Sequence, residues 1–454
     1  MKAIPRSFEE RFYGFYISMP LSSRGFGVGN SNNTVKEEMA TPKDESDPLV
    51  PSLALYGTAA CTFFSDSLLW YFLFPYAAVL KVAFAEMGVI RSVRNLFQYT
   101  LQIGWGGLAE KFGKRLFVFT GYLFSSITVL ALLYFHTPFQ LLAIMISQAI
   151  FWSMVSPAWN ALLGDYTKMK TRGKVLGRIM SVSRFSGVGA TLFVALIAFL
   201  TPGELTPSSF FMPFVLSAVA GVVGGILVAF VKERKHQSVS IVKLDVLLPM
   251  RDKSFRIFLV VNGFYWFAMA FAWPLFPYVT VDIVKAELWQ IALVATASGL
   301  VASLTQPKFG SIADRIGRKP LIVASHASFV LFPLMYAFAN HWLHLLASNA
   351  ILGFALAASI VTTTAYTLDS APIGKRATYT GAYNLIVGCS SFLGSFVGGV
   401  FTDYLSTSNE IHQVIFMGLI CSAGLRLVTS MGFLAIAETL PSSSSLQKRN
   451  GRSR

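Results

Sequence analysis

The chain is 454 residues long, 54% hydrophobic and only 13% charged, about half the charged fraction of an ordinary soluble domain, which excludes most soluble enzymes. Its mean hydropathy is +0.58. The 37 Lys+Arg against 22 Asp+Glu give a net charge of +15, so a nucleic-acid partner and a membrane-orientation signal are the two readings to separate.

Residues 1–50 are rich in Ser, Asn and Gly, lack an apolar run long enough for a signal peptide, and read as a disordered tail. The tail holds six basic and seven acidic residues, so the basic excess lies wholly beyond it. From there apolar stretches of about 20 residues recur with short polar breaks, the length that crosses hydrocarbon as a helix. Twelve spans are expected, at 53–80, 87–109, 115–135, 139–164, 175–200, 210–231, 255–280, 288–309, 320–339, 343–368, 376–402 and 412–437. Residues 232–254 link an N-terminal half (51–231) to a C-terminal half (255–438), and 439–454 form a Ser-rich basic tail.

The connections alternate in charge. One set holds Lys111, Lys114 and Arg115; Lys168, Lys170, Arg172 and Lys174; the basic linker; Arg315, Arg318 and Lys319; and Lys375 and Arg376. The other holds little beyond Lys81 and Lys285. By the positive-inside rule the basic loops and both termini are cytoplasmic, in a multi-pass protein of the cell membrane. The positive charge is split over many short loops instead of massed on one face, so no nucleic acid is expected as partner. Cys61, Cys389 and Cys421 are far apart in apolar runs, and the six histidines have no ligand spacing. Neither disulfide, metal site nor cofactor is expected.

The segment Gly106-Gly-Leu-Ala-Glu110-Lys-Phe-Gly113-Lys-Arg115 returns as Gly310-Ser-Ile-Ala-Asp314-Arg-Ile-Gly317-Arg-Lys319, displaced by 204 residues. Asp165 and Arg172 return as Asp369 and Arg376 at the same displacement, and Phe74-Pro75-Tyr76 returns as Phe276-Pro277-Tyr278. Two motifs sharing one offset mark two similar six-helix halves. On these residues the chain resembles the major facilitator superfamily (MFS) of secondary transporters, over about residues 50–440. The second copy fits the family's G-x-x-x-D-R-x-G-R-K loop fully; the first has Glu110 and Lys111 in place of Asp and Arg.

The resemblance implies an all-α membrane fold of twelve helices in two pseudo-symmetric halves. It also implies a cytoplasmic gate of two ionic clusters: Gly106, Glu110, Lys114, Asp165 and Arg172 in one, Gly310, Asp314, Arg318, Asp369 and Arg376 in the other. Pairs at such a rim would form when the mouth shuts and hydrate when it opens, biasing a two-state equilibrium by ~1–3 kcal/mol.

Few ionisable residues remain inside the spans, and function is sought there. Asp66 lies 13 residues into the first span, near the midplane at ~1.5 Å per residue. Arg184 reaches a similar depth from the same side and is its expected ion partner. Arg91, Arg94, Asn95, Gln98 and Gln102 draw one polar stripe on the second span; Arg91 is placed at the headgroups and Arg94 a turn deeper. Asn384, Gly388, Ser391 and Ser395 form a matching row on span eleven, which the resemblance places against span two. Plain packing and substrate contact are equally weighted for Gln102, Ser391 and Ser395. Trp70, Tyr71 and Phe74, then Asn262, Tyr265, Trp266 and Trp273, lie on spans the resemblance puts around a central cavity, with Gln148, Trp152 and Asn160 joining them from span four. Arg426 is read as snorkelling to the cytoplasmic face.

The sequence therefore reads as a secondary active transporter of a small organic solute working by alternating access, not an enzyme. A proton or other ion gradient is the expected driving force, and the expected partners are the solute and the bilayer, with the protein a monomer. Asp66 is open to use as proton carrier, substrate anchor or both; anion binding at Arg184 or Arg94 is a competing use. A receptor on the same fold, sensing solute without moving it, is the alternative. No substrate is assigned, because Ser186-Gly-Val-Gly-Ala190 lacks the proline of the antiporter element and the sugar-porter loop signatures are only partly met.

Overall fold

A computed structural model describes residues 49–167, 172–234, 248–372 and 375–439, with the side chains of Ile103, Glu110, Arg172, Gly173, Lys174 and Ala377 outside that description. The expected tails and most of the 232–254 linker fall outside the described residues. So do the side chains of two expected gate residues, Glu110 and Arg172.

The described chain is helical throughout. In the N-terminal half the rods are α1 (Leu53–Val79), α2 (Phe84–Phe112), α3 (Lys114–Ala131), α4 (Pro138–Gly164), α5 (Arg172–Leu200) and α6 (Phe211–Val228). In the C-terminal half they are α7 (Lys253–Ile283), α8 (Leu288–Ile316) and α9 (Arg318–Ala337), then α10 (Trp342–Ser370), α11 (Arg376–Ser406) and α12 (Ile411–Met431). Nine helices among the described residues are long and apolar enough to cross a membrane, α4 to α12. The three that fall short carry charge: Asp66 in α1, Glu86, Arg91 and Arg94 in α2, and Lys114 and Arg115 opening the 18-residue α3.

Local chemistry sets the ends. Ser52 caps α1, Asp252 caps α7, and Thr137 with Gln140 forms a capping box on α4, each satisfying amides that the first turn leaves unpaired. The α2–α3 and α8–α9 turns are single glycines, Gly113 (φ 109°) and Gly317 (φ 104°), a backbone region that side chains avoid. They are 204 residues apart. So are Lys81 (φ 56°) and Lys285 (φ 52°), which turn the chain at the other end of the bundle. The repeat read from the loop motifs is thus also a repeat of backbone geometry. The end carrying Gly113 and Gly317 is called the basic end below, and the opposite one the far end.

Within the halves, α1 packs on α5 and α6, α2 on α4, α8 on α10, and α11 on α7. Two seams join the halves, α2 against α11 and α5 against α8, which places the Gly388–Ser395 row of α11 beside α2 as the resemblance implied. The first seam is close because its contacts involve glycine: a Cβ on Gly88 would lie 2.3 Å from the Ser395 carbonyl oxygen, and one on Gly388 2.9 Å from the Tyr99 ring. Ser391 and Ser395 of this helix are fully buried.

Two helices in the C-terminal half break. In α7 the bonding shortens beyond Phe271, with Trp273 N–H reaching Ala270 O, and a π-helical turn follows at Val279–Ile283. In α9 the break falls at Phe329, between Arg318–Ser328 and Leu331–Ala337. Arg426 of α12 sits at both. It is fully buried, donating from Nη1 to Phe329 O (3.0 Å) and from Nη2 to Met269 O (2.8 Å). The snorkelling expected of it is therefore wrong, because carbonyls at helix breaks inside a bilayer need donors that lipid cannot supply. Arg426→Leu is expected to cost about 2–4 kcal/mol, as buried acceptors lose charge-assisted bonds, read as a fall in the detergent-solubilised protein's melting temperature. Arg426→Lys should recover only part, since one ammonium lacks the guanidinium's fork.

Candidate functional site

The midplane chemistry is built on α1 and α2. Arg94 Nη2 lies 2.6 Å from Asp66 Oδ1, with the arginine side chain 7% exposed and the aspartate 22%. The guanidinium also lies over the rings of Trp152 (4.2 Å) and Trp70 (5.0 Å). Trp70 is thereby a shelf for a cation and does not line the cavity described next. The ion partner expected for Asp66, Arg184, is displaced by Arg94. Counting depth along straight helices put Arg184 level with Asp66, but which residue faces Asp66 is set by helix neighbours and rotation, and α2 presents Arg94 there.

Asp66 and Arg184 nevertheless share one cavity of about 440 Å³, walled by α1–α5 and α8, a volume in the range of small-ligand sites. Gln98, Trp152 and Asn160 also face it. Its far-end floor is a hydrogen bond between the Thr191 and Thr296 hydroxyls at 2.6 Å, joining α5 to α8. Their repeat counterparts, 204 residues away, are Ser395 and Ser92 at the other seam. From that floor the wall runs toward the basic end as far as Leu163 and Ile179.

Four other expected site residues lie off this cavity. Gln148 is buried and donates to Ser125 Oγ at 3.3 Å, tying α4 to α3. Asn262 is buried and donates to Phe258 O within α7. Neither Trp266 nor Asn384 lines it. Their spacing was right for helix faces; the Gln148 face turns onto α3. Arg91, expected at the headgroups, instead points between the halves, with its guanidinium 4.3 Å from the Phe74 ring and 5.6 Å from Trp273.

At the basic end, Lys114 Nζ meets Asp165 Oδ1 at 2.7 Å, and Arg318 meets Asp314 at 2.6 Å and Asp369 at 3.2 Å. The duplicated pairing is as expected. Arg376 is exposed and outside it, because the Asp369 carboxylate is turned to Arg318. Each of these pairs joins parts of one half, since the tight turns at Gly113 and Gly317 start α3 and α9 beside their own half's α4 and α10. They brace each half and do not themselves bridge the mouth. Gly106 and Gly310 are 3.7 and 4.0 Å from their neighbours when given a Cβ, so close packing does not require glycine there.

Two carboxylates not singled out in sequence complete the braces. Glu233 accepts the Arg115 N–H, and Glu438 accepts those of Arg318 and Lys319, favourable placements at helix N-termini. Among the described residues the halves meet through polar groups at the far end, again unforeseen. Asp403 of α11 accepts the Phe84 and Ala85 N–H groups of α2 at 3.0 and 2.8 Å. Lys81 pairs with Asp282, and Tyr278 donates to Val82 O. At the other seam Phe199 and Trp289 make an edge contact at 5.5 Å. A helix-terminus carboxylate so far along the chain carries no local signal.

Two helical halves packed along two seams beside a charged cavity have the architecture of a membrane carrier. The Major Facilitator Superfamily model matches residues 55–278 and 258–451, and the chain belongs to that family. An uncharacterised MFS-type transporter of Methanocaldococcus jannaschii is 21% identical over 352 residues, covering 74% of this chain and 86% of the relative. The crystal structure of the nucleoside transporter NupG superposes with TM-score 0.70 at 15% identity, covering 85% of this chain and 98% of that one. A bacterial homologue of the human lysosomal transporter Spinster, inward-facing and occupied, gives 0.64 at 14%, covering 84% and 95%. The protein is thus a multi-pass membrane transport protein and not an enzyme.

Proposed function

We propose that the protein is a twelve-span secondary active transporter of a small organic solute, working by alternating access with proton coupling through Asp66. Asp66, on the wall of the cavity and ion-paired with Arg94 behind it, carries this reading. Protonating the carboxylate removes the charge that holds Arg94, so proton uptake and solute contact act on one pair of side chains. With the basic end cytoplasmic in the cell membrane, the far-end contacts close the outside and the cavity faces the cytoplasm. The solute then competes with, or replaces, the pairing within the wall as the halves rock.

The test is uptake of a panel of labelled amino acids, sugars, nucleosides and organic acids into proteoliposomes, with and without an acid-outside gradient. A gradient-stimulated solute is expected, and Asp66→Asn should keep exchange at equal pH while losing gradient-driven accumulation. Uptake that ignores the gradient in the wild type would end the proton proposal. Ligand binding with no uptake or exchange of any panel member would favour a receptor.

A further inference from the structure

Four arginines lie well inside the spans, and three of them are provided for. Arg94 has Asp66, Arg426 has two backbone carbonyls, and Arg91 lies against two aromatic rings. Arg184 has no acid, carbonyl, hydroxyl or ring partner among the described residues, yet it faces the cavity. An unpaired cation at this depth is costly, so such residues mark ligand or ion pathways.

The helix itself directs this. Phe185, Phe193 and Leu196 are 68, 46 and 57% exposed on one side of α5, the side suited to lipid. Met180, Arg184, Gly187, Val188 and Thr191 line the cavity on the other, at spacings of three, four, seven and eight residues. Gly187 fixes the packing: a Cβ there would lie 2.5 Å from Ser67 Oγ and 2.8 Å from the Phe63 ring, so α5 lies close against α1 at this level.

Because Arg94 neutralises Asp66, Arg184 leaves the wall with one net positive charge among its described groups. We propose that Arg184 anchors the carboxylate of an organic monoanion with an apolar or aromatic body. The planar guanidinium fork matches a carboxylate's two oxygens, and Trp152, Trp159 and Phe63 supply an apolar wall for the body beside the amide of Asn160. The assignment rests on the transporter reading for the use of the site, but binding tests it without transport.

The experiment is a thermal-shift titration of the purified full-length protein with 3-phenylpropionate, 4-phenylbutyrate and cyclohexanecarboxylate, each beside its own neutral amide and the amine of equal length. At least one carboxylate is expected to bind about tenfold tighter than its amide and amine, the scale of a charge-assisted bidentate contact. Arg184→Gln should erase that preference while leaving the unliganded melting temperature equal or higher, and Arg184→Lys should keep its sign. The assignment is wrong if no carboxylate outbinds its amide, if Arg184→Gln keeps the preference, or if Arg184→Gln unfolds the protein, which would make the residue structural. Carboxylate preference without any proteoliposome uptake would leave the anchor standing and remove the transport reading. Uptake without charge preference would do the reverse.

Discussion

Alanine at Gly399 is expected to hold the two halves apart at the far end, whereas alanine at its neighbour Gly398 is expected to weaken one half from within. A Cβ on Gly399 would lie 2.4 Å from Phe84 O and 2.6 Å from Ala85 Cα, both backbone atoms of α2 across the seam. A Cβ on Gly398 would lie 1.9 Å from Phe271 O of α7, inside the same half. Backbone of a packed helix cannot turn aside as a side-chain tip can, so in each case a helix must move, at about 1–3 kcal/mol or more.

The consequences differ because the two contacts have different freedoms. The α2–α11 seam has an alternative, since the halves can separate there, and 1–3 kcal/mol changes that equilibrium about 5- to 150-fold. The α7–α11 contact has no such escape, so its cost falls on folding. In a background lacking Cys61, Cys389 and Cys421, cysteine at the seam position Ser395 reports opening through maleimide labelling. Gly399→Ala should raise the labelling rate at least about fivefold with little loss of melting temperature. Gly398→Ala should lower the melting temperature without raising labelling. Equal behaviour of the two would mean that the seam is not a moving contact. Asp403→Asn should act in the same direction as Gly399→Ala but more weakly, by roughly 1 kcal/mol, because it removes the helix-terminus charge while steric closure stays possible.

Much of this arrangement was legible in the sequence. Span length and the loop repeat are one-dimensional signals, and Gly113, Gly317, Asp165 and Asp369 land in equivalent turns and pairs because the repeat fixes their local backbone. Depth was also legible: Asp66 and Arg184 both reach the cavity. Rotation and tilt were not. Periodicity says that Gln148, Asn262 and Trp266 lie on a helix face, but whether that face meets a cavity or a neighbour is a tertiary fact. Depth pointed to Arg184 as the partner of Asp66, whereas helix packing brings Arg94 to it instead. Asp403 and Arg426 illustrate the harder case. Each answers a backbone need on another helix, 319 and 97 residues away in sequence for Phe84 and Phe329, and nothing near either residue announces it.

Neutralising either member of the Asp66–Arg94 pair alone is expected to cost more than neutralising both. Arg94→Gln leaves a carboxylate against the indole wall, and Asp66→Asn leaves a guanidinium that is 7% exposed. Breaking a buried pair from one side costs about 3–5 kcal/mol, and since Asp66 is 22% exposed to the cavity, about 2–3 kcal/mol is the figure for this site. The double variant removes both charges and should return most of that stability, giving a coupling energy of about 2 kcal/mol. Melting temperatures of the four proteins in one detergent close the cycle. Arg94→Lys separates charge from shape: it keeps the pair but loses the planar contact with Trp152 and Trp70, so it should fall between wild type and Arg94→Gln. Gradient-driven accumulation should be lost in both singles and stay lost in the double, even as stability recovers. Accumulation that returned with stability would show that the pair is a structural tie and that the proton is carried elsewhere.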